Sequence, residues 1–298
     1  MEFAQLEMFV AVAEHGGITA AAEKMLRAPS NVSTRIRLLE KELGMDLLLR
    51  DKRQVTLSAE GEAFLEYARR LIDIAGEAKS LATGEQPRGR FRIGALESTS
   101  AVRIPSLLAE FHLNYPAVDL ELAAGSSGML FDHLLSGQVN AVFTDGAPAS
   151  PVLTGLHAFT EELVILTPEP VKAIDEGFRA SNPTAFVFGT VCSYRQRFEE
   201  WMEQSTINPG RVVEISSYYS MLACVAAGAG ICMMPRSLYE TLPGGNRVTC
   251  HPIEGDLGRV ETWLTWRRDA RSANLRAFVR QTKEHLAHLA ELQPAAVG

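Results

Sequence analysis

The chain predicts an α/β protein in three parts: an N-terminal helix-turn-helix, a long linker helix, and two small α/β units facing each other across a cleft. Three observations predict this. Two helical stripes separated by a few residues lie within Ile18 to Leu49. Apolar residues recur in alternating steps of four and three from Phe64 to Ala82. Beyond a Gly/Pro-interrupted linker, strand and helix patterns alternate. The boundaries fall at 1–60, 61–87 and 88–298, the last dividing into one unit of 88–161 with 267–298 and another of 162–266.

The first helix runs from Glu2 to Glu14 on Phe3, Leu6, Phe9, Val10 and Ala13, and His15-Gly16-Gly17 closes it, glycine being suited to the C-cap. Ala20-Ala21-Ala22 and Met25-Leu26 make a short second helix whose small residues let another helix cross closely. After a break at Arg27-Ala28-Pro29 a third helix opens near Pro29-Ser30. It buries Val32, Ile36, Leu39 and Leu43 and leaves Asn31, Ser33, Thr34, Arg35 and Arg37 on the other face. Between Lys24 and Arg53 there are eight Lys or Arg against four Asp or Glu, in a chain of formal charge -7. That face has the chemistry of a DNA reader. Helix N-terminal amides and the hydroxyls of Ser30, Ser33 and Thr34 suit phosphate oxygens, and Asn31 and Arg35 can pair with base edges. A basic amphipathic helix that merely meets solvent carries the same pattern.

From Ser58-Ala59-Glu60-Gly61 a long helix places Phe64, Ala68, Leu71, Ala75, Ala78 and Ala82 on one seam, as in a coiled coil or in a helix packed on its own domain. Thr83 to Gly89 is the clearest boundary. Strands are then expected at Phe91–Ala95, Val118–Ala123 and Asn140–Phe143, helices at Val102–Tyr115 and Met129–Ser136, and loops at Glu97–Ser100 and Gly125–Gly128. The alternation argues for a parallel sheet flanked by helices. A second unit follows with strands at Glu162–Thr167, Ala185–Gly189, Arg211–Ile215 and Ile231–Pro235 and helices at Tyr194–Gln204 and Tyr219–Ala227. Val260–Arg267 is expected to return toward the first unit, and a helix from Asn274 to Leu292 finishes it.

Phe9-x2-Val12-x-Glu14-x-Gly16, the alanine pair, Val32-Ser33, Ile36, Leu39-Glu40, Leu43-Gly44, Leu47-x2-Arg50, Arg53 and Leu57-Ser58-x2-Gly61 resemble the LysR-type transcriptional regulators over about sixty residues. The resemblance implies a winged helix-turn-helix whose third helix enters the major groove, with a wing hairpin around Asp51-Lys52-Arg53-Gln54. On this reading Pro29, Ser30, Asn31, Ser33, Thr34, Arg35 and Arg37 are groove or phosphate candidates, and Arg50 and Arg53 belong to the wing. Pro29 stands where the family commonly has Gln, and Asn31 where a small apolar residue is usual, so a typical member's base preference does not carry over. The family also dimerises through the linker helix, which implies a homodimer, and a homotetramer built from it, on double-stranded DNA. Weaker matches at Pro105-x5-Phe111-x3-Tyr115-Pro116, Gly137 and Gly228-x-Gly230-Ile231-x3-Pro235 imply a periplasmic-binding-protein-like effector domain in the second half.

In open α/β sheets ligands sit beyond the carboxyl ends of the strands. That rule, with the implied effector domain, nominates Ser98, Thr99, Ser100, Ser126, Thr144, Asp145, Cys192, Ser193, Arg195 and Tyr218 for a small-molecule effector, an amino acid, a polyamine derivative or an organic acid. Hydroxyls at helix N-termini suit an anion, although Ser98, Thr99 and Ser100 also suit simple capping. Arg195 is either the counter-ion or the partner of Glu199 one turn on, and Tyr218 is either cleft wall or core. Glu97 and Asp145 leave an amine-bearing ligand open. Leu96 to Thr99, Cys192 to Arg195 and Met221 to Val225 also resemble a subgroup containing regulators of putrescine and 4-aminobutyrate use.

Two alternatives stand beside this reading. Cys192 at a helix start beside Arg195 has the setting of a redox-sensing thiolate, and the second half alone would serve a cytoplasmic solute-binding protein. Composition, 46% hydrophobic and 22% charged over 298 residues, is that of an ordinary globular chain. There is no apolar run of about eighteen residues, and Glu2, Glu7 and Glu14 stand where a secretion signal needs basic and then apolar residues, so a cytoplasmic protein with no membrane partner is expected. Cys192, Cys224, Cys232 and Cys250 show no zinc spacing, and no cofactor or metal is expected. Without a G-x-S-x-G elbow or a GxxxxGK[ST] loop, and with Gly228-Ala229-Gly230 following a helix, an enzyme is not expected.

Overall fold

A computed structural model describes residues 1–50, 55–83, 86–169, 171–190 and 192–292. The expected hairpin tip Asp51 to Gln54, with Arg53, and Gly84-Glu85 of the linker lie outside the described residues.

Three helices, α1 (Phe3–His15), α2 (Ile18–Lys24) and α3 (Pro29–Leu43), pack around Leu6, Phe9, Val12, Val32, Ile36 and Leu39, all essentially solvent-free. Gly16 takes the left-handed C-cap that ends α1, with φ 72°. Strands β1 (Leu48–Arg50) and β2 (Val55–Leu57) pair antiparallel as the base of the wing. Glu40, buried at the end of α3, accepts the backbone N–H groups of Leu47 (3.0 Å) and Leu48 (3.1 Å) and so anchors that strand to the helix. Gly61 is required here: a Cβ at that position would lie 2.1 Å from the Leu47 carbonyl oxygen.

The linker helix α4 (Ala59–Thr83) turns the first half of its seam inward. Phe64 packs on Phe9 with ring centroids 5.8 Å apart, and Ala68 is fully buried. Farther along, Ala75 is half-buried, Ala78 is exposed, and Tyr67 and Ile74 are left 59% and 57% exposed by this single chain.

The second half begins with β3 (Gly89–Ala95), α5 (Glu97–Val102), α6 (Pro105–Asn114), β4 (Val118–Ala124), α7 (Ser127–Leu135) and β5 (Ala141–Asp145). β6 (Leu153–Pro168), α8 (Glu176–Ala180), β7 (Thr184–Val187), α9 (Ser193–Gln204), β8 (Arg211–Glu214), α10 (Tyr218–Ala226), β9 (Ile231–Pro235), α11 (Arg236–Tyr239), β10 (Val248–Pro252), β11 (Arg259–Arg267) and α12 (Ala273–Leu292) follow. The strands run in the order β4-β3-β5-β11-β6-β9-β7-β8, with β10 also on β6. β3 pairs parallel with β4 and β5, and β7 parallel with β8 and β9.

Several expectations need correction. The sheet is mixed, because β11 and β6 run antiparallel to their neighbours. The strand expected at Glu162–Thr167 is the end of the 16-residue β6, whose first half pairs with β11 and whose second half pairs with β9 and β10. Its early part was hidden by Gly155 and by the absence of a regular apolar and polar alternation from Leu153 to Glu161. Glu97–Ser100 is helix α5 rather than loop, and Val102–Tyr115 is split, because Pro105 starts α6 at its own first turn. β11 does return toward the first unit as expected, pairing along its whole length with the first half of β6 and from Thr262 to Trp266 with β5. Phe91, Phe111, Phe143 and Phe278 form the aromatic centre of the first unit, and Phe186, Phe198, Met221, Met233 and Met234 lie in the second.

Candidate functional sites

The face of α3 away from its core is open. Pro29, Ser30, Asn31, Thr34 and Arg37 are exposed, while Ser33 and Arg35 are half-buried. Ala28 supplies no side-chain cap, so the N-terminal turn keeps its capacity for a phosphate. Arg35 is not idle in the free protein: its Nη1 donates to Glu2 Oε2 at 2.6 Å. On meeting a base or phosphate it must exchange that carboxylate for the new acceptor. Leu26, in the turn before α3, sits at φ 52° and is 91% exposed, a left-handed leucine with no packing to compensate it. Arg50 closes β1, and Arg53 lies outside the described residues.

The cleft lies where the strand ends predict. A cavity of about 290 Å³ is lined by Leu96, Glu97, Ala124, Gly125, Ser126, Ser127, Phe188, Gly189, Cys192, Ser193, Tyr194, Ser216 and Tyr218. That volume is at the small end of metabolite sites. Four helices, α5, α7, α9 and α10, begin at its wall, so their N-terminal dipoles converge on it. Phe188 and Tyr218 stack edge to face with centroids 4.5 Å apart.

Of the nominated residues, Ser126, Cys192, Ser193 and Tyr218 line this cavity. Ser98 is buried one layer behind, near the phenols of Tyr194 and Tyr218, without a well-directed hydrogen bond to either. Thr99 and Thr144 are fully buried, and their hydroxyls, like those of Ser98 and Tyr194, have no hydrogen-bond partner among the described residues. Ser100 turns away and donates to the Glu97 carbonyl at 2.7 Å. Asp145 accepts from the Ser127 hydroxyl.

Arg195 is committed elsewhere. Its Nε donates to Glu199 at 2.8 Å, and its Nη1 to the Phe188 carbonyl at 3.0 Å and to Glu214 at 3.3 Å. The routine helical pair is therefore the one formed, and Arg195 is absent from the cavity wall. Burial pushes the Glu97 carboxyl above its usual range. Burial likewise pushes the Cys192 thiol up, outweighing backbone hydrogen bonds from Arg195 and Tyr194, with Asp145 and Glu97 adding to the rise. This opposes the thiolate that redox sensing would need. Burial also raises the phenols of Tyr194 and Tyr218.

The nominated set omitted Phe188, which succeeds β7, and Tyr194, the second residue of α9, although Tyr194 lies in the candidate loop Cys192 to Arg195. The sequence reading also missed a buried ion pair behind the cleft. Glu161, 1% exposed on β6, accepts Arg103 Nε at 2.6 Å and Nη2 at 3.0 Å and the Ser237 hydroxyl at 2.8 Å. No sequence signal marks it, because the three residues lie far apart in the chain.

Among the described residues no helix is long and apolar enough to cross a membrane, and no group of His, Cys, Asp and Glu is arranged for a metal. Residues 3–62 match the bacterial regulatory helix-turn-helix protein of the lysR family, and residues 84–287 match the LysR substrate binding domain. The chain is 32% identical over 287 residues to the HTH-type transcriptional regulator CzcR of Bacillus thuringiensis subsp. konkukian, covering 96% of this chain and 98% of that one. It is 31% identical to the HTH-type transcriptional regulator GltR of Bacillus subtilis, covering 96% and 97%. In structure it is similar to full-length CbnR complexed with its target DNA (TM-score 0.63, 26% identity, 95% and 99% covered). It shares the fold of a full-length OxyR variant from Pseudomonas aeruginosa (TM-score 0.75, 22% identity, 96% and 94% covered). With a helix-turn-helix at one end and a hydroxyl-rich cleft at the other, both matched over nearly their full length, the chain belongs to the LysR family of DNA-binding transcriptional regulators with an effector-binding domain.

Proposed function

We propose that a small metabolite enters the cavity between the two α/β units and biases the geometry of a DNA-bound homodimer, assembled through α4, and of a tetramer built from it. The units divide at 88–161 with the chain's end and at a second segment from 162, whose far boundary the pairing of β11 favours near 258 rather than 266. The regulator works in the cytoplasm and carries out no catalysis. Residues Ser30, Asn31, Ser33, Thr34, Arg35 and Arg37, with Arg50 and Arg53 of the wing, contact DNA, and Pro29 sets the start of the helix that presents them.

The observation that carries the effector reading is the cavity itself, at whose wall α5, α7, α9 and α10 all begin and which Ser126, Ser193, Tyr194 and Ser216 line with hydroxyls. Ser126, Ser193, Cys192 and Tyr218 would touch the metabolite, Ser98 and Asp145 would support it, and Ser100 and Arg195 are given structural roles. Thermal-shift screening of the full chain against amino acids, polyamines and organic acids tests this. A stabilising compound whose effect is lost in Ser98→Ala and Tyr194→Phe supports the cleft, and an undiminished shift in both variants overturns it. On the DNA side, Arg35→Ala should weaken promoter binding by about 1–3 kcal/mol and relax preference at one base position. An equal loss on scrambled duplex would reduce Arg35 to a phosphate contact.

A further inference from the structure

Glu14, in the last turn of α1, is held mainly by the effector domain. Its Oε2 accepts from Arg90 Nη1 at 2.6 Å, and its Oε1 lies 2.8 Å from Arg92 Nη2, both on β3, whereas Arg69 of α4 comes no nearer than 3.6 Å. The same two arginines are shared with Glu121 on β4, through Arg90 Nε at 2.6 Å and Arg92 Nε at 2.8 Å. Three guanidinium groups and two carboxylates thus interlock. The Glu14, Arg69 and Arg92 side chains are only 11%, 13% and 19% exposed. Close packing accompanies the charges: a Cβ on Gly137, in the turn after α7, would lie 3.4 Å from Arg70 Cγ of α4. The start of β3 is itself fastened. Asn274 of α12 accepts from the Arg88 N–H at 2.9 Å and donates to the Arg88 carbonyl at 3.0 Å, and Asn140 accepts from the Arg92 N–H at 2.8 Å.

We propose that the edge formed by Arg90, Arg92 and Glu121 is a docking surface for the DNA-reading module of the same chain, keyed by Glu14, and that it couples the cleft to the recognition helix. The two elements that meet there reach both functional sites. From Arg92 to Glu97, at the cleft wall, β3 and its exit span roughly 17 Å. From Glu14 back to Glu2, α1 spans roughly 18 Å. Glu2 is the residue that holds Arg35. Because α1 and α3 share one core, a shift of β3 that parts Arg92 from Glu14 moves the three-helix module as a body and so changes how α3 and Arg35 are presented to DNA. An ion-pair cluster suits such a device, since it is either formed or solvated, with little between.

Hydrogen exchange on the full-length protein tests the docking. Glu14→Gln and, separately, Arg92→Gln should speed exchange in the last turn of α1 and along β3 by about tenfold or more. Arg92→Lys, which keeps the positive charge, should retain more protection than Arg92→Gln. Unchanged exchange in both Gln variants, or Arg92→Lys no better protected than Arg92→Gln, overturns the docking surface. The coupling is read in affinity for the duplex beside the protein's own gene. Arg92→Gln, remote from the DNA face, should change affinity at least about threefold. Faster exchange with unchanged DNA affinity would overturn the coupling and leave only a structural clasp.

Discussion

Replacing Arg103 with alanine would strand the Glu161 carboxylate in the interior of the effector domain. Glu161 is 1% exposed and takes two of its three hydrogen bonds from Arg103, at 2.6 and 3.0 Å, leaving only Ser237 at 2.8 Å. Removing one partner of a buried pair costs about 3–5 kcal/mol, because the remaining charge must be desolvated without compensation. Arg103 is itself 34% exposed, so water can reach part of the vacated space, and the lower end, about 3 kcal/mol, is expected. For a domain of this size that corresponds to a fall of roughly 6–12 °C in melting temperature. Calorimetry of the full chain at pH 7 measures it. The control is Arg103→Ala with Glu161→Gln, where no charge is left behind, and it should recover more than half of the loss. A double variant that melts as low as Arg103→Ala would refute the argument and assign the loss to packing of Arg103 on Phe159, whose ring centroid lies 5.4 Å from the guanidinium carbon.

Three further outcomes are expected. Glu2→Gln removes the competitor for Arg35 and should strengthen DNA binding by up to about 1 kcal/mol, with the gain shrinking at high salt, in fluorescence anisotropy titrations. Leu26→Asn should raise the stability of the DNA-reading module by about 1 kcal/mol in chemical melts, since asparagine tolerates the left-handed backbone that leucine occupies at φ 52°. Burial raises the Glu14 carboxyl, but hydrogen bonds and charges from Arg90 and Arg92 outweigh it and hold the group below its ordinary value of 4.5. A carboxylate depressed on folding stabilises above its unfolded pKa and loses that contribution as pH falls through the folded value. Melting temperature should therefore drop more steeply below about pH 4.5 in the natural chain than in Glu14→Gln, and parallel curves would contradict this.

The helix-turn-helix was legible because its signals are local. Val32, Ile36 and Leu39 repeat on one face of α3, Gly16 stops α1, and each expectation needs only a few neighbouring residues. The strand ends were legible for the same reason, and they led to Ser126, Cys192, Ser193 and Tyr218 on the cavity wall. Arg195 shows where that reasoning stops. Its spacing from Glu199 allowed either a ligand contact or a salt bridge, and the choice rested on Glu214 and the Phe188 carbonyl, brought beside it by β7 and β8. Cys192 shows a similar limit: its helix-start position is written in the sequence, whereas the burial that raises its thiol is not.

By itself the sequence determined the periodicity of the longer helices, the strand and helix alternation of the second half, the glycine stop after α1 and the basic face of α3, because these depend on backbone preference and on which side of an element is apolar. Only the tertiary structure decided that β6 runs unbroken from one unit into the other, that Glu161 meets Arg103 and Ser237, and that Glu14 reaches across to Arg90 and Arg92. Those contacts join residues 58 or more positions apart. A charge's partner is chosen by distance in space and by the exclusion of water around it, and neither is encoded in spacing along the chain.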